Sequence, residues 1–244
     1  MIYQNERRYT AMNVTKTYHS HELSYELGSA RALSDSQKQA LIRAFETPPE
    51  IQVNGLSGRI RPHVAPIGGF GRVVIKHYFR GGALRRINRR TYLKIGKTRG
   101  EAEFDMLNRV RRIGVSAPMP VAFASRPNAR VFYHAWLATI EIAGAKTLAD
   151  LSRSNPDRAM AVLPSVADQI DRLIRHRILH VDLHPGNVLV DADDGVYLVD
   201  FDKARTGLRT GMLGRRGIAA YYTRRWRRAV VKHGLPMFLH DLNG

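Results

Sequence analysis

The apolar positions in the first half of the chain fall mostly in short runs, and those of the second half recur mostly at helical spacing. The first thirty residues lack strong periodicity and read as an extension. Ser34-Asp-Ser-Gln37 is a capping-box pattern, in which two side chains satisfy each other's backbone amides, and it predicts a short helix to Ala44 that Pro48-Pro49 closes. Residues 51–53, 60–65 and 73–78 read as an antiparallel three-stranded meander with glycine-bearing turns at 54–58 and 68–71. Residues 101–112 predict a helix carrying Phe104, Leu107 and Arg111, which Gly114, Pro118 and Pro120 terminate. Two further strands follow at 121–123 and 131–142, then helices at 147–152 and 162–176. Short strands at 188–190 and 196–199 flank an Asp193-Asp194-Gly195 turn. Near the end Tyr222, Trp226, Ala229 and Val230 recur along one side of a helix, a stripe expected to pack inward. This order predicts a two-lobed α+β protein, divided as 1–50, 51–144 and 145–244.

Composition changes the picture in one respect. The 244 residues, 44% hydrophobic and 25% charged, suffice for a packed core and exclude a disordered polycation. Without cysteine the chain has no disulfide, thiolate metal site or cysteine nucleophile. It begins without an apolar signal-type run and holds no continuous apolar stretch of membrane-spanning length, so neither a signal peptide nor a membrane span is expected. The net charge of +18 is concentrated. Residues 51–100 contain twelve Lys or Arg and residues 203–240 ten more, with no Asp or Glu in either block. Arginine scattered for solubility would not segregate in this way; two acid-free blocks are a footprint for phosphate, whether of nucleotide, nucleic acid or anionic membrane.

Candidate chemistry sits in His180-Val-Asp-Leu-His-Pro-Gly-Asn187 and in Val199-Asp-Phe-Asp202. A hairpin between the two segments can carry Asp200 back beside Asn187, so that a carboxylate and an amide oxygen share one hard cation. Mg²⁺ takes such ligands, completing its shell with water and phosphate. Asp182 stays clear of the metal and is placed to accept a proton from an attacking hydroxyl. His180 is expected to prop the loop through hydrogen bonds rather than act chemically, and the role of His184 is open.

These segments resemble the catalytic and metal loops of the protein-kinase-like superfamily, H-x-D-x-x-x-x-N followed by D-F. The resemblance implies ATP and Mg²⁺, and a β-rich N-lobe with a helical C-lobe reduced in size, since only 42 residues follow Asp202. It implies that Lys76 meets the nucleotide phosphates and that a glutamate on the next helix pairs with it. Glu103 is the choice, with Glu101 the rival; the two project about 200° apart, so only one can face Lys76. Gly68-Gly-Phe-Gly71 lies too few residues before Lys76 to cover phosphates and is expected to be a hairpin turn. Gly55 and Gly58 are assigned to the phosphate loop, although their segment departs from G-x-G-x-x-G. Backbone groups around Glu141 and Ala143 would bind adenine.

Lys76-His-Tyr-Phe-Arg-Gly-Gly82, Glu103-Phe-Asp-Met-Leu107, Gly114-Val-Ser-Ala-Pro118, Thr139-Ile-Glu141 and Asp200-Phe-Asp202 further resemble the lipopolysaccharide kinase family, in particular the enzymes that phosphorylate 3-deoxy-D-manno-octulosonic acid (Kdo). That resemblance implies a Kdo acceptor in the inner core, borne on lipid A, and a chain working peripherally at the cytoplasmic face of the inner membrane. The basic run 80–90 and the arginines of the last helix are then expected to face anionic lipid and lipid A phosphates rather than nucleic acid; no obligate protein partner is inferred. The alternatives are another small-molecule kinase, to which His184-Pro-Gly186 is similar, a RIO-like atypical protein kinase, and a pseudokinase adaptor binding nucleic acid or membrane. Retention of Lys76, Asp182, Asn187 and Asp200 together argues against the adaptor.

Overall fold

The computed structural model describes residues 13–20, 23–48, 51–52, 59–60, 63–78, 92–93, 97–127, 132–207 and 214–241. The chain divides into two compact units, Met1–Asp105 with Met119–Glu141, and Met106–Pro118 with Ile142–Gly244.

The first unit is built on one antiparallel sheet. Its strands are β1 (Asn13–Ser20), β2 (Leu23–Ser29), β5 (His63–Ile67), β6 (Gly71–His77), β7 (Tyr92–Leu93), β8 (Pro120–Pro127) and β9 (Phe132–Ile140). They run in the order β1-β2-β8-β9-β6-β5, with β7 also on β9. Two short strands, β3 (Ile51–Gln52) and β4 (Arg59–Ile60), pair antiparallel with each other, so among the described residues the expected three-stranded meander is two separate hairpin pairs, β3–β4 and β5–β6. That hairpin turns through Gly69 and Gly71, both at positive φ, as the spacing predicts.

Helix α1 (Asp35–Glu46) begins with the expected capping box and buries Leu41, Ile42, Ala44 and Phe45 in a cluster with Val73, Ile75, Ala122, Ala124 and Trp136. On β8 the alternation of side chains sends Phe123 the other way, where its ring meets Phe104 of helix α2 (Arg99–Arg112), centroids 5.2 Å apart. A sheet covered on both faces explains why β8 is buried continuously through Ser125. Residues 13–46, set apart in the sequence reading as part of an extension, supply two strands and a helix to this unit. The available signal was the short alternation of Leu23, Tyr25 and Leu27, of which Tyr25 and Leu27 are buried.

Helix α2 starts from Thr98, whose Oγ1 accepts from the Glu101 amide at 3.3 Å. Its next residue but one has to be glycine: a Cβ on Gly100 would lie 2.3 Å from the Trp136 carbonyl oxygen in β9. The absent side chain lets the first turn of the helix lie against the strand, and Glu103 follows within one turn.

The second unit contains β10 (Lys146–Thr147), α3 (Leu148–Ser154), α4 (Pro156–Ala161), α5 (Leu163–Arg175), β11 (Ile178–Leu179), β12 (Val188–Val190), β13 (Val196–Leu198), β14 (Arg205–Thr206) and α6 (Arg215–Lys232). Strands β10, β12 and β13 form one small sheet, and β11 pairs with β14. The β12–β13 turn places Asp194 at φ 63. Helix α5 buries Leu163, Val166, Ile170 and Leu173, each contributing about 1.5–3 kcal/mol of burial. Helix α6 buries Ile218, Tyr222, Trp226, Ala229 and Val230, the stripe read from the sequence plus one residue before it. The Trp226 indole donates to the Leu239 carbonyl at 2.7 Å. Among the described residues no helix is long and apolar enough to cross a membrane.

Because the Gly100 contact is with backbone, which cannot swing aside, Gly100→Ala is expected to destabilise the protein by about 1–3 kcal/mol, read as a lowered unfolding midpoint.

Candidate active site

Strand β6 alternates Val73 and Ile75 into the core with residues of the other face, and this places Lys76 on the opposite side of the sheet from α1. Its ammonium meets both oxygens of Glu103, at 3.0 and 2.8 Å. Glu103 is 3% exposed, and Tyr78, two residues beyond Lys76 on the same face, donates its hydroxyl to the same carboxylate at 2.6 Å. The Lys76 side chain is one-third exposed. The choice between two glutamates is thereby decided, since Glu101 lies near Lys97 instead, at 3.5 Å.

In the second unit, His180 is 1% exposed; its Nε2 lies 2.9 Å from the Val199 carbonyl oxygen and its ring 4.6 Å from that of Phe201. Those contacts bind the loop after β11 to the segment after β13, the propping role expected of this histidine. Val199 donates its amide to the Asn187 carbonyl at 3.0 Å, so Asn187 and Asp200 are brought together as the hairpin predicts. Asp200 holds φ 65, a left-handed conformation that aspartate adopts more readily than most residues with a Cβ.

The Asn187 amide nitrogen donates to the Asp182 carbonyl at 2.8 Å, which leaves the amide oxygen as the acceptor on its other side. With Asp200 this makes a donor set of hard oxygens that fits Mg²⁺. No group of three or more His, Asp or Glu among the described residues could hold a metal by itself, so most of the ion's ligands would be phosphate and water.

Asp182 follows with its side chain one-third exposed. One of its carboxylate oxygens, Oδ1, accepts from Arg225 of α6. Its other oxygen has no protein partner among the described residues. His184 Nε2 stands 3.9 Å from the same Oδ1, too far for a hydrogen bond, while its Nδ1 accepts from the Gly186 amide at 3.0 Å. Burial holds the His184 imidazole below its ordinary pKa despite the Asp182 carboxylate, so the ring is neutral at physiological pH and the charge beside Asp182 is that of Arg225.

Sequence reasoning missed Arg225, which it counted among the arginines of a docking surface. Arg227 is likewise paired, with Asp241. The available signal was position: Arg225 follows Tyr221 and Tyr222 by one helical turn, beside the buried stripe. Gly55 and Gly58 and the basic run 80–90 lie outside the described residues. At Glu141, where the sequence reading expects adenine, the backbone amide donates to the Arg72 carbonyl at 3.0 Å and the carboxylate pairs with the Arg72 guanidinium, leaving the Ala143 amide as the donor without a protein partner among the described residues.

Residues 64–216 match the lipopolysaccharide kinase (Kdo/WaaP) family. A 3-deoxy-D-manno-octulosonic acid kinase of Vibrio vulnificus (strain YJ016) is 32% identical over 132 residues, 53% of this chain and 55% of that protein. The enzyme of that name from Vibrio cholerae serotype O1 is 27% identical over 163 residues, 66% of this chain and 68% of the relative. That from Photobacterium profundum is 35% identical over 141 residues, 55% of this chain and 57% of the relative. Against the first of these relatives, then, the chain spans little more than half the length. A solved structure of WaaP in complex with acyl carrier protein aligns at 19% identity and a TM-score of 0.45, over 82% of this chain and 88% of that one. A β-rich first unit and a helix-rich second unit make up the α+β class expected from the sequence. Because the family match takes in more than half of the residues, the chain belongs to the lipopolysaccharide kinase (Kdo/WaaP) family.

Proposed function

We propose that the protein transfers the γ-phosphoryl group of ATP to a sugar hydroxyl, with Kdo in the lipopolysaccharide inner core, carried on lipid A, as the acceptor. The observation that carries this reading is the state of Asp182: one carboxylate oxygen is held by Arg225 and the other is left for a hydroxyl, in a loop fastened by His180 and Asn187. The names of the relatives supply the acceptor.

In the reaction the acceptor oxygen forms a bond to the γ-phosphorus as the bond from that phosphorus to the β–γ bridging oxygen breaks. The hydroxyl proton passes to Asp182, and ADP leaves. The transition state is loose, so the protein contributes positioning and charge rather than covalent chemistry. Lys76, aimed by Glu103 and Tyr78, neutralises the nucleotide phosphates. Asn187 and Asp200 would hold Mg²⁺, which offsets the charge of the β- and γ-phosphates when bound.

The partner surface proposed is anionic lipid. Arg224, Arg228 and Lys232 recur every fourth residue on the exposed side of α6, with Val231 69% exposed beside them and Met237 71% exposed just after the helix. Cationic side chains flanking exposed apolar ones suit an interface of phosphate headgroups and acyl chains, which supports a reading of the chain as working at the cytoplasmic face of the inner membrane.

Asp182→Ala is expected to abolish phosphate transfer from ATP to Kdo-lipid A while nucleotide binding persists; substantial turnover in that variant would remove Asp182 from the role of base. Lys76→Met should lower kcat/KM for ATP by roughly 100-fold or more, about 2.7 kcal/mol of transition-state stabilisation, with native secondary structure by circular dichroism but a lowered unfolding midpoint, because Glu103 loses its cation. In co-sedimentation at low salt, anionic vesicles should pull down the protein and neutral vesicles should not, and the Arg224→Glu/Arg228→Glu double variant should lose most of that binding. Equal binding to both vesicle types would sink the membrane reading.

A further inference from the structure

Helix α6 packs its buried stripe like any terminal helix, but its polar atoms do something that packing does not require. The Tyr222 hydroxyl donates to the Ile178 carbonyl at 2.7 Å and accepts from the His180 amide at 2.8 Å. The Tyr221 hydroxyl donates to the Val181 carbonyl at 2.7 Å. Arg225, one turn on, reaches Asp182 Oδ1. Three residues of one helix therefore hold residue 178 of β11 and residues 180, 181 and 182 of the loop that follows it. The last contact comes at a cost, since Arg225 Nε is buried with no hydrogen-bond partner among the described residues. A guanidinium arranged for stability alone would not leave a donor unsatisfied.

We infer that Arg225 is a positioning residue for phosphoryl transfer, supplied by the C-terminal helix to orient the Asp182 carboxylate. A carboxylate on a short side chain can rotate; fixing Oδ1 on a planar guanidinium stops the rotation and turns Oδ2 toward the place where the acceptor hydroxyl must sit. The loop itself does not supply that function, because His184 stands beyond hydrogen-bond reach of Asp182 and has its Nδ1 committed to Gly186. The basic character of α6 thus divides between its faces, with Arg225 turned to the loop and Arg224, Arg228 and Lys232 exposed. The inference rests on the reading of Asp182 as the base.

The test compares Arg225→Met and Arg225→Lys with the unaltered protein in steady-state transfer from ATP to Kdo-lipid A and in hydrogen exchange of residues 178–187, with Asp182→Ala run beside them. The Arg225 side chain is 38% exposed, so both variants should fold, with unfolding midpoints as the check. Arg225→Met is expected to lower kcat by roughly 100-fold, the cost of a reacting group misplaced by about 1 Å, with KM for ATP unchanged and faster exchange confined to the loop. Arg225→Lys should recover part of kcat by restoring the charge without the planar fork. Unchanged or higher kcat in Arg225→Met, or a loss shared equally by Lys and Met with faster exchange throughout the chain, overturns the inference. If Asp182→Ala keeps its turnover, or the unaltered protein transfers no phosphate, the functional reading fails, and loop exchange alone decides whether Arg225 braces the loop.

Discussion

A carboxylate removed from water must be answered by donors, and the first unit is arranged around that requirement at Glu103. Leaving such a group unpaired would cost about 3–5 kcal/mol, so Lys76 and Tyr78 converge on it from one face of β6. Convergence needs α2 to enter close to the sheet, which requires glycine at position 100, and it needs β6 to be an interior strand between β5 and β9. One buried negative charge thus links helix entry, strand order and the aim of a lysine ammonium. The ion pair gives Lys76 a defined direction while leaving it exposed enough to meet a phosphate.

The second unit solves the complementary problem. Asp182 is one-third exposed, yet held in place. Its loop is short and irregular; Tyr221 and Tyr222 of α6 bond its backbone groups from outside, and its own His180 ring reaches out to the Val199 carbonyl. Burial pushes the Tyr222 phenol pKa up, keeping it a neutral hydroxyl that can both donate and accept. The same helix then provides the cation for the carboxylate. The strong positive charge of the chain is therefore not one surface: some arginines and lysines neutralise carboxylates of the chain itself, as at Glu103, Glu141, Asp182 and Asp241, and others face solvent.

What could be read from the chain followed from how local its causes are. The capping box at Ser34, the β5–β6 turn at Gly69 and the β12–β13 hairpin are set by residues a few positions apart, and each formed where expected. The grouping of Asp182, Asn187 and Asp200 was legible because a loop, a hairpin and a strand end keep the three within eighteen positions. Strand β2 was missed because its alternation spans only three apolar residues, and its burial depends on β8, almost a hundred residues away.

By itself, then, the sequence determined the local elements, the α+β class and the candidate residues for phosphoryl transfer, since period, turn chemistry and short spacings act within a few residues of each other. Only the tertiary structure decided the sheet order, the pairing of Lys76 with Glu103 rather than Glu101, and the placing of Arg225 on Asp182. Those depend on long-range packing: a helix shows in its sequence which face is apolar, but the groups that its remaining side chains meet are fixed only when that face is buried.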